Sequence, residues 1–475
     1  MKINQTINAT PNFQVLSEDQ IERIYFAALD VLTRTGCRVC SKHALQLLKG
    51  SEAVVSDDDL VRVPPALAER ALKAHPRKLT LTGRTGAYPL RLQKDEVHFG
   101  TGFYSASEGG QRNGDGEASY AALRQAAQLA DALPSIDFFM AQGCASADGT
   151  RGLDEARAFH TLIQACTKPM LLSSGTVQGL ADQWRMACLL RGGEEALRLQ
   201  PLFIAQVRPV SPLVLTEAGL EQLLFCAEKG LPCLFVSSPV AGVTAPLSIA
   251  GLLVQTLAEG IMGSVISYLR RPGLPYVLGG MFSFGQDRRA GGSLGAPELS
   301  LSQAAYADIV KWLGLPVFST GGCSDAPTLE EQAAVEMATS LFYGFLSGAN
   351  LVHHIGFLDS GRTASLEGIL LCDEIIGMIK QIGRGINTDD EYLALEVITE
   401  IGPGGEFLTT DHTLDHFHEW YAPKYLDRAD FATWSGMGGK SMLDNLRAAR
   451  DRILAEHRPE PLPQELDEEL QRARQ

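Results

Sequence analysis

The sequence predicts an α/β protein of the (β/α)8 TIM-barrel class, with an N-terminal helical and hairpin extension and a C-terminal cap. Three observations predict it. Eight short apolar, strand-like runs, each followed by a helix-length segment, occupy residues 97–385. Strands alternating with helices need the crossover connections of a parallel sheet, and eight such units over this span are the number that closes a barrel. Several runs end in small or polar residues (Gly102, Gly143, Ser174, Ser238, Gly280, Gly321), as expected where a strand opens into a loop.

Residues 1–96 are read as an extension packed on the barrel rather than a free domain, since no flexible linker follows them. Residues 1–17 are expected to form a polar, extended arm. Ser17 to Thr35 reads as a helix, with Ser17 as cap, Gln20 in the capping-box position, and Ile21, Ile24, Tyr25, Ala28, Leu29 and Leu32 on one face. Pro64–Ala74 predicts a second helix. Leu79–Val97, broken by Gly83, Gly86 and Pro89, predicts hairpins.

The barrel strands are expected at 97–102, 137–142, 169–174, 202–207, 232–237, 275–280, 316–320 and 350–354, with helices at 117–131, 153–166, 177–192, 216–228, 245–268, 300–313, 328–347 and 364–384. The fifth helix is nearly apolar, which places it between layers or at the contact of a homo-oligomer. Residues 386–475 form an acidic, mixed cap, whose Pro- and Glu-rich tail from His457 is expected to be solvated.

Composition bounds the function. A chain of 475 residues with 45% hydrophobic and 20% charged content is ordinary for a soluble globular protein. A net charge of −15 argues against nucleic acid or an anionic membrane as partner. Nine scattered cysteines without framework spacing read as reduced thiols; Cys37-x-x-Cys40, near His43, lacks the second pair a zinc site needs. No basic-then-apolar leader and no apolar segment of about 20 residues is evident, which predicts a cytoplasmic protein.

In a barrel the chemistry belongs to the loops that follow the strands. Ser319–Pro327 carries the Gly321-Gly322 pair and Asp325, a carboxylate that either faces a cation at the mouth or caps the next helix, with Thr328 as rival cap. His353 and His354 end the last strand, where alternation turns one ring inward; neighbours pointing oppositely make poor joint metal ligands. Phe103 and Tyr104 after the first run, Phe282 after Pro275–Gly280, and Phe357 are aromatics able to wall a cation, or else ordinary loop packing. Arg208 either clamps a substrate carboxylate or pairs with an acidic neighbour. His412-x-x-x-His416-x-His418 has superficial metal spacing, but interleaved acids favour a solvated or docking face, and no metal is assigned. Walker, dinucleotide-binding and nucleophile-elbow motifs are absent from the sequence.

Gly321-Gly322-Cys323-Ser324-Asp325, Gln332–Glu336, Gly348–His354 and Leu358–Glu367 with Asp373-Glu374 resemble the trimethylamine:corrinoid methyltransferase family. So do Ala241–Pro246 and Gly295-Ala296-Pro297-Glu298. The resemblance runs from the N-terminal helix to Asp411-His412-Thr413. It implies a (β/α)8 barrel that moves a methyl group from an N-methylated amine to the cobalt of a separate corrinoid protein. That corrinoid partner carries the cofactor, so none is expected to bind this chain tightly. Members acting on trimethylamine carry pyrrolysine at the barrel mouth; this sequence has only standard residues and so resembles the branch that demethylates glycine betaine and related quaternary amines. A quaternary nitrogen already has a neutral amine as leaving group, so the site needs positioning rather than a covalent adduct. On this reading Asp325, His353 and His354 are catalytic, and Phe103, Tyr104, Arg208, Phe282, Phe357 and Glu367 bind substrate. The alternatives are a non-catalytic betaine-binding barrel and a zinc-dependent activation of the methyl donor.

Overall fold

The computed structural model describes residues 13–87, 89–102, 116–142, 154–284 and 292–473. Eight parallel strands form one sheet: β1 (His98–Thr101), β2 (Phe139–Gln142), β3 (Met170–Ser173), β4 (Phe203–Val207), β5 (Cys233–Ser237), β6 (Tyr276–Gly280), β7 (Val317–Thr320) and β8 (Leu351–Ile355). β8 pairs with β1 through Leu351–His98 and Val352–Phe99, and a bridge between Gly100 and Phe138 joins β1 to β2, closing the barrel. Pro232, Pro275 and Pro316 sit one residue before β5, β6 and β7, where a missing N–H costs nothing while each carbonyl accepts from the adjacent strand.

Each strand is followed by its helix: α1 (Gly116–Ala132), α2 (Glu155–Ala165), α3 (Val177–Arg191), α4 (Glu217–Lys229), α5 (Ile249–Arg270), α6 (Pro297–Trp312), α7 (Glu331–Leu346) and α8 (Leu366–Gly383). Two hydrophobic cores result. One lies between the sheet and the helices; the other fills the barrel with Phe138, Met140, Leu171, Ile204, Leu234, Val236, Val277, Phe318 and Leu351.

The antiparallel hairpin Leu79–Leu81/Leu90–Leu92 belongs to that inner core. The residues just after its first strand bond to Pro201 and Thr167, which precede β4 and β3, so the hairpin stoppers the amino-terminal end of the barrel.

The segment before the barrel carries the two expected helices, a further helix at Lys42–Lys49 and several short strands. Ser17 caps Glu18–Arg34, and Gln20 completes the capping box. The end of the arm is docked rather than free: the Val15 and Leu16 amides donate to Asp308 of α6. A small sheet forms from Val54–Val55, Leu60–Arg62 and Cys37–Val39, the last pairing with Val214–Leu215 beyond β4. Helices Glu18–Arg34 and Pro65–Ala74 pack on α5. They cover its apolar surface, so α5 is an interlayer helix and lends no support to an oligomer contact. It is also the one helix among the described residues long and apolar enough to cross a membrane, and it is mostly buried.

The C-terminal tail departs from expectation. Gln464–Ala473 is a helix whose Leu470 is fully buried, and its Asp467 accepts from His160 and Gln164 of α2. Leu462, Leu466 and Leu470 recur at helical spacing, an apolar stripe that the Pro- and Glu-rich composition masked. The buried Asp373-Glu374 pair of α8 anchors the cap. Asp373 receives Lys424 at 2.6 Å, while Glu374 accepts from the Tyr421 hydroxyl and the amides of Lys424 and Tyr425.

Candidate active site at the carboxyl ends of the strands

Side chains alternate along a strand, so the residues two positions above the inner apolar core also face the barrel axis. These are Ser173, Gln206, Thr320 and His353, with Arg208 just beyond β4. Carrying the strand registers round the barrel with the stagger such barrels adopt places Met140, Gln206, Gly279 and His353 at one level, with Ser173 and Thr320 next toward the mouth. The interior therefore changes from apolar below to polar above.

His353 is fully buried and stacked on Phe318, ring centroids 4.2 Å apart. Its Nε2 lies 3.1 Å from the Thr320 hydroxyl, which Gln303 of α6 also reaches, and its Nδ1 lies 3.4 Å from Nδ1 of His354. Burial, and the His354 neighbour, hold its pKa well below the ordinary imidazole value; burial brings His354 down to about 4. Both rings are neutral at pH 7.

His354 occupies a register shift in β8 with φ of +82°, a conformation that carries strain in a residue with a Cβ. The bulge turns its ring against Phe357, centroids 4.8 Å apart. Gly361 closes over it: a Cβ there would stand 2.6 Å from His354 Nε2. Phe357 is buried across Gly102 at the end of β1, where any Cβ would strike its ring at 2.4 Å.

Asp325 is a clasp. Its carboxylate accepts from the Leu294 and Gly295 amides at 2.8 and 3.0 Å, from the Ser293 hydroxyl, and from the Ser360 hydroxyl at 2.8 Å. Burial pushes its pKa up, but these donors outweigh burial and hold it below the usual carboxylate value. One side chain thus ties together the loops after β6, β7 and β8. It does not cap a helix: α7 begins at Glu331, with neither Asp325 nor Thr328 bonded to its first turn. Glu336 of α7, which sequence reasoning did not single out for the site, supports the clasp by accepting from the Ser324 hydroxyl and the Asp325 amide.

Of the expected site residues, His354 touches both His353 and Phe357, and Asp325 reaches their loop through Ser360. Arg208 stands at the mouth end of β4, where burial lowers its pKa. Phe282 does not join them. It is fully buried against Tyr306 of α6, behind the sheet, because alternation turns Met281 inward and its neighbour outward. Glu367 also lies elsewhere, ion-paired with Arg450 of the helix Met442–Glu456, so it fastens the cap to α8. Phe103 and Tyr104 lie outside the described residues. In the cap, His416 pairs with Glu419 at 3.0 Å, and its ring lies 4.4 Å from that of His412.

The residue that sequence reasoning passed over is Gln206. It is 2% exposed, and neither its Oε1 nor its Nε2 has a hydrogen-bond partner among the described residues.

A closed parallel barrel with a buried polar level at the carboxyl ends of its strands is the build of a (β/α)8 enzyme. This chain belongs to the trimethylamine methyltransferase (MTTB) family, whose model matches residues 1–474. It is 28% identical to a glycine betaine methyltransferase of Desulfitobacterium hafniense strain Y51, over 97% of this chain and 96% of that one. It is 26% identical to a trimethylamine methyltransferase of Methanosarcina thermophila, over 96% of each. Among solved structures it resembles the monomethylamine methyltransferase of Methanosarcina barkeri, with a TM-score of 0.51 at 11% identity over 95% of this chain and 91% of that one, which bears on the fold alone.

Proposed function

We propose that this methyltransferase takes a methyl group from a betaine-type quaternary amine and delivers it to the Co(I) centre of a corrinoid protein. The observation that carries the reading is the chemistry of the inner polar level: Ser173, Gln206, Thr320 and neutral His353, with Arg208 above. These groups bind and orient an ion, and none of them is an amine that would build a covalent adduct with the donor. Similarity to the glycine betaine methyltransferase over nearly the whole chain supports the same donor class.

In the transfer, an electron pair from Co(I) forms the bond to the methyl carbon. The C–N pair leaves with nitrogen, giving a neutral tertiary amine. The donor's cationic charge disperses in the transition state, so the site gains rate by alignment and not by tight grip on the ground-state cation. Neutral imidazoles suit this, since a protonated ring would repel the ammonium group.

Incubation with glycine betaine, proline betaine or carnitine and reduced cobalamin, followed by absorbance and by NMR of the demethylated amine, tests the proposal. Binding of these amines without methylcobalamin would leave a betaine-binding barrel instead. Full activity after exhaustive chelation would remove a zinc-dependent route.

Self-association is supported by the segment 386–440. Its short helices bury no residue of their own and expose Leu395, Leu408, Leu414, Trp420 and Phe431. Sedimentation velocity at two concentrations tests it.

A further inference from the structure

We propose that Gln206 forms the inner, anion-binding end of the donor site, so that a carboxylate-bearing amine enters carboxylate first and holds its N-methyl groups toward the mouth. This rests on the reading of the chain as a quaternary-amine methyltransferase and assigns the orientation of the substrate within it.

Burying an amide without partners is costly, and folded proteins rarely leave both ends of one unpaired. Several other buried side-chain groups without partners among the described residues are of a different kind. Ser237, Ser302, Ser319 and Tyr306 lie behind the sheet, and Gln303 still donates from Nε2 to the Gly280 carbonyl. Gln206 alone among them projects into the barrel, between the apolar core below and the Ser173–Thr320 level above. Gly279 shares its level and is closely flanked, since a Cβ there would stand 2.8 Å from the Phe318 side chain and 3.0 Å from that of Val236.

The chemistry at that depth selects an anion. The amide Nε2 has two N–H donors. Ser173 stands one level above, and Arg208, just beyond the end of β4, one level higher again. A trimethylammonium group would find no acceptor with a full charge there, whereas a carboxylate finds donors at each step. The hairpin below prevents entry from the amino-terminal end, so the methyl acceptor meets the substrate only from the mouth. A carboxylate seated at Gln206 leaves the N-methyl groups facing that approach.

The test compares glycine betaine with tetramethylammonium, which lacks a carboxylate, in the parent enzyme and in Gln206→Leu and Gln206→Glu. Methyl transfer gives kcat/KM, and calorimetry gives binding independently of activity. Gln206→Leu is expected to lower the preference for glycine betaine over tetramethylammonium at least tenfold, chiefly through KM. Gln206→Glu is expected to lower it further by repulsion. The melting temperature of Gln206→Leu should stay level or rise, since an apolar isostere removes an unpaired amide; a purely structural glutamine would melt earlier. An unchanged preference, or equal losses for both amines, overturns the assignment. If the parent binds glycine betaine in a Gln206-dependent manner but transfers no methyl group, the proposed function falls and this assignment stands. If transfer is robust and indifferent to Gln206, the reverse holds.

Discussion

Nδ1 of His353 and Nδ1 of His354 lie 3.4 Å apart, so a proton carried on either of these nitrogens faces the other ring's Nδ1. Thr320 completes the chain at the far side of His353, and Gln303 holds Thr320.

This pair makes stability sensitive to acid. The unfolded histidines titrate near ~6.5, whereas folded His353 lies well below that and His354 near 4. Below pH ~6.5 the unfolded chain binds protons that the folded chain refuses, so stability is full above that value and declines as pH falls toward 4. The urea midpoint, followed from pH 7 to 4, should fall more steeply in the parent than in His354→Gln. Parallel curves would show that these rings do not titrate as described. Buried His75, also lowered to about 4, adds a slope of the same sign that His354→Gln leaves intact.

Asp325→Asn should be harmful for a reason other than lost charge beside a substrate. The carboxylate accepts four hydrogen bonds from two other loops, and an amide nitrogen in place of one oxygen would face amide N–H groups. A loss of roughly 1–3 kcal/mol is expected, with faster hydrogen exchange at Leu294, Gly295 and Ser360. Because its folded pKa is depressed, the clasp contributes above the unfolded carboxyl value near ~3.9 and is lost as pH falls through the folded one. Unaltered exchange in these loops with lost turnover would instead mark Asp325 as acting on substrate.

The cap should detach when its anchor is cut. Glu374 is fully buried and accepts from Tyr421, Lys424 and Tyr425. Glu374→Ala leaves buried donors unpaired, which costs roughly 2–4 kcal/mol. Limited proteolysis should then cut between residues 385 and 441 well before the barrel is attacked. A digestion pattern like the parent's would contradict the anchoring role.

The stopper should matter to stability before it matters to catalysis. Leu81 is fully buried in the inner core, and Leu81→Ala is expected to cost about 2–5 kcal/mol through the cavity it opens. Denaturant unfolding measures this directly. A loss under 1 kcal/mol would mean that the hairpin is not packed in the barrel.

The architecture was legible because strand–helix alternation is a local pattern, written in Pro232–Ser237 or Pro275–Gly280 without reference to the rest of the chain. The site was legible only in part. The position of His353 followed from alternation at a strand end, and the same rule, applied at β4, would have flagged Gln206 beside Arg208. Applied at Met281, it would have excluded Phe282. Asp325 was harder. Its partners Ser293 and Ser360 come from loops some thirty residues away on either side, and no local spacing announces such a convergence. Glu367 misled for the same reason, since Arg450 lies 83 positions downstream.

The stoppered end makes the barrel a blind tube, and a blind tube imposes an order of events. On the proposed function, the small donor must be inside before a bulky methyl acceptor covers the opening, and the demethylated amine leaves only after that acceptor has withdrawn. Traffic is therefore last in, first out. Excess acceptor protein would slow turnover by sealing in the spent amine or shutting out the fresh one, and saturation with the amine would not relieve the first of these blocks.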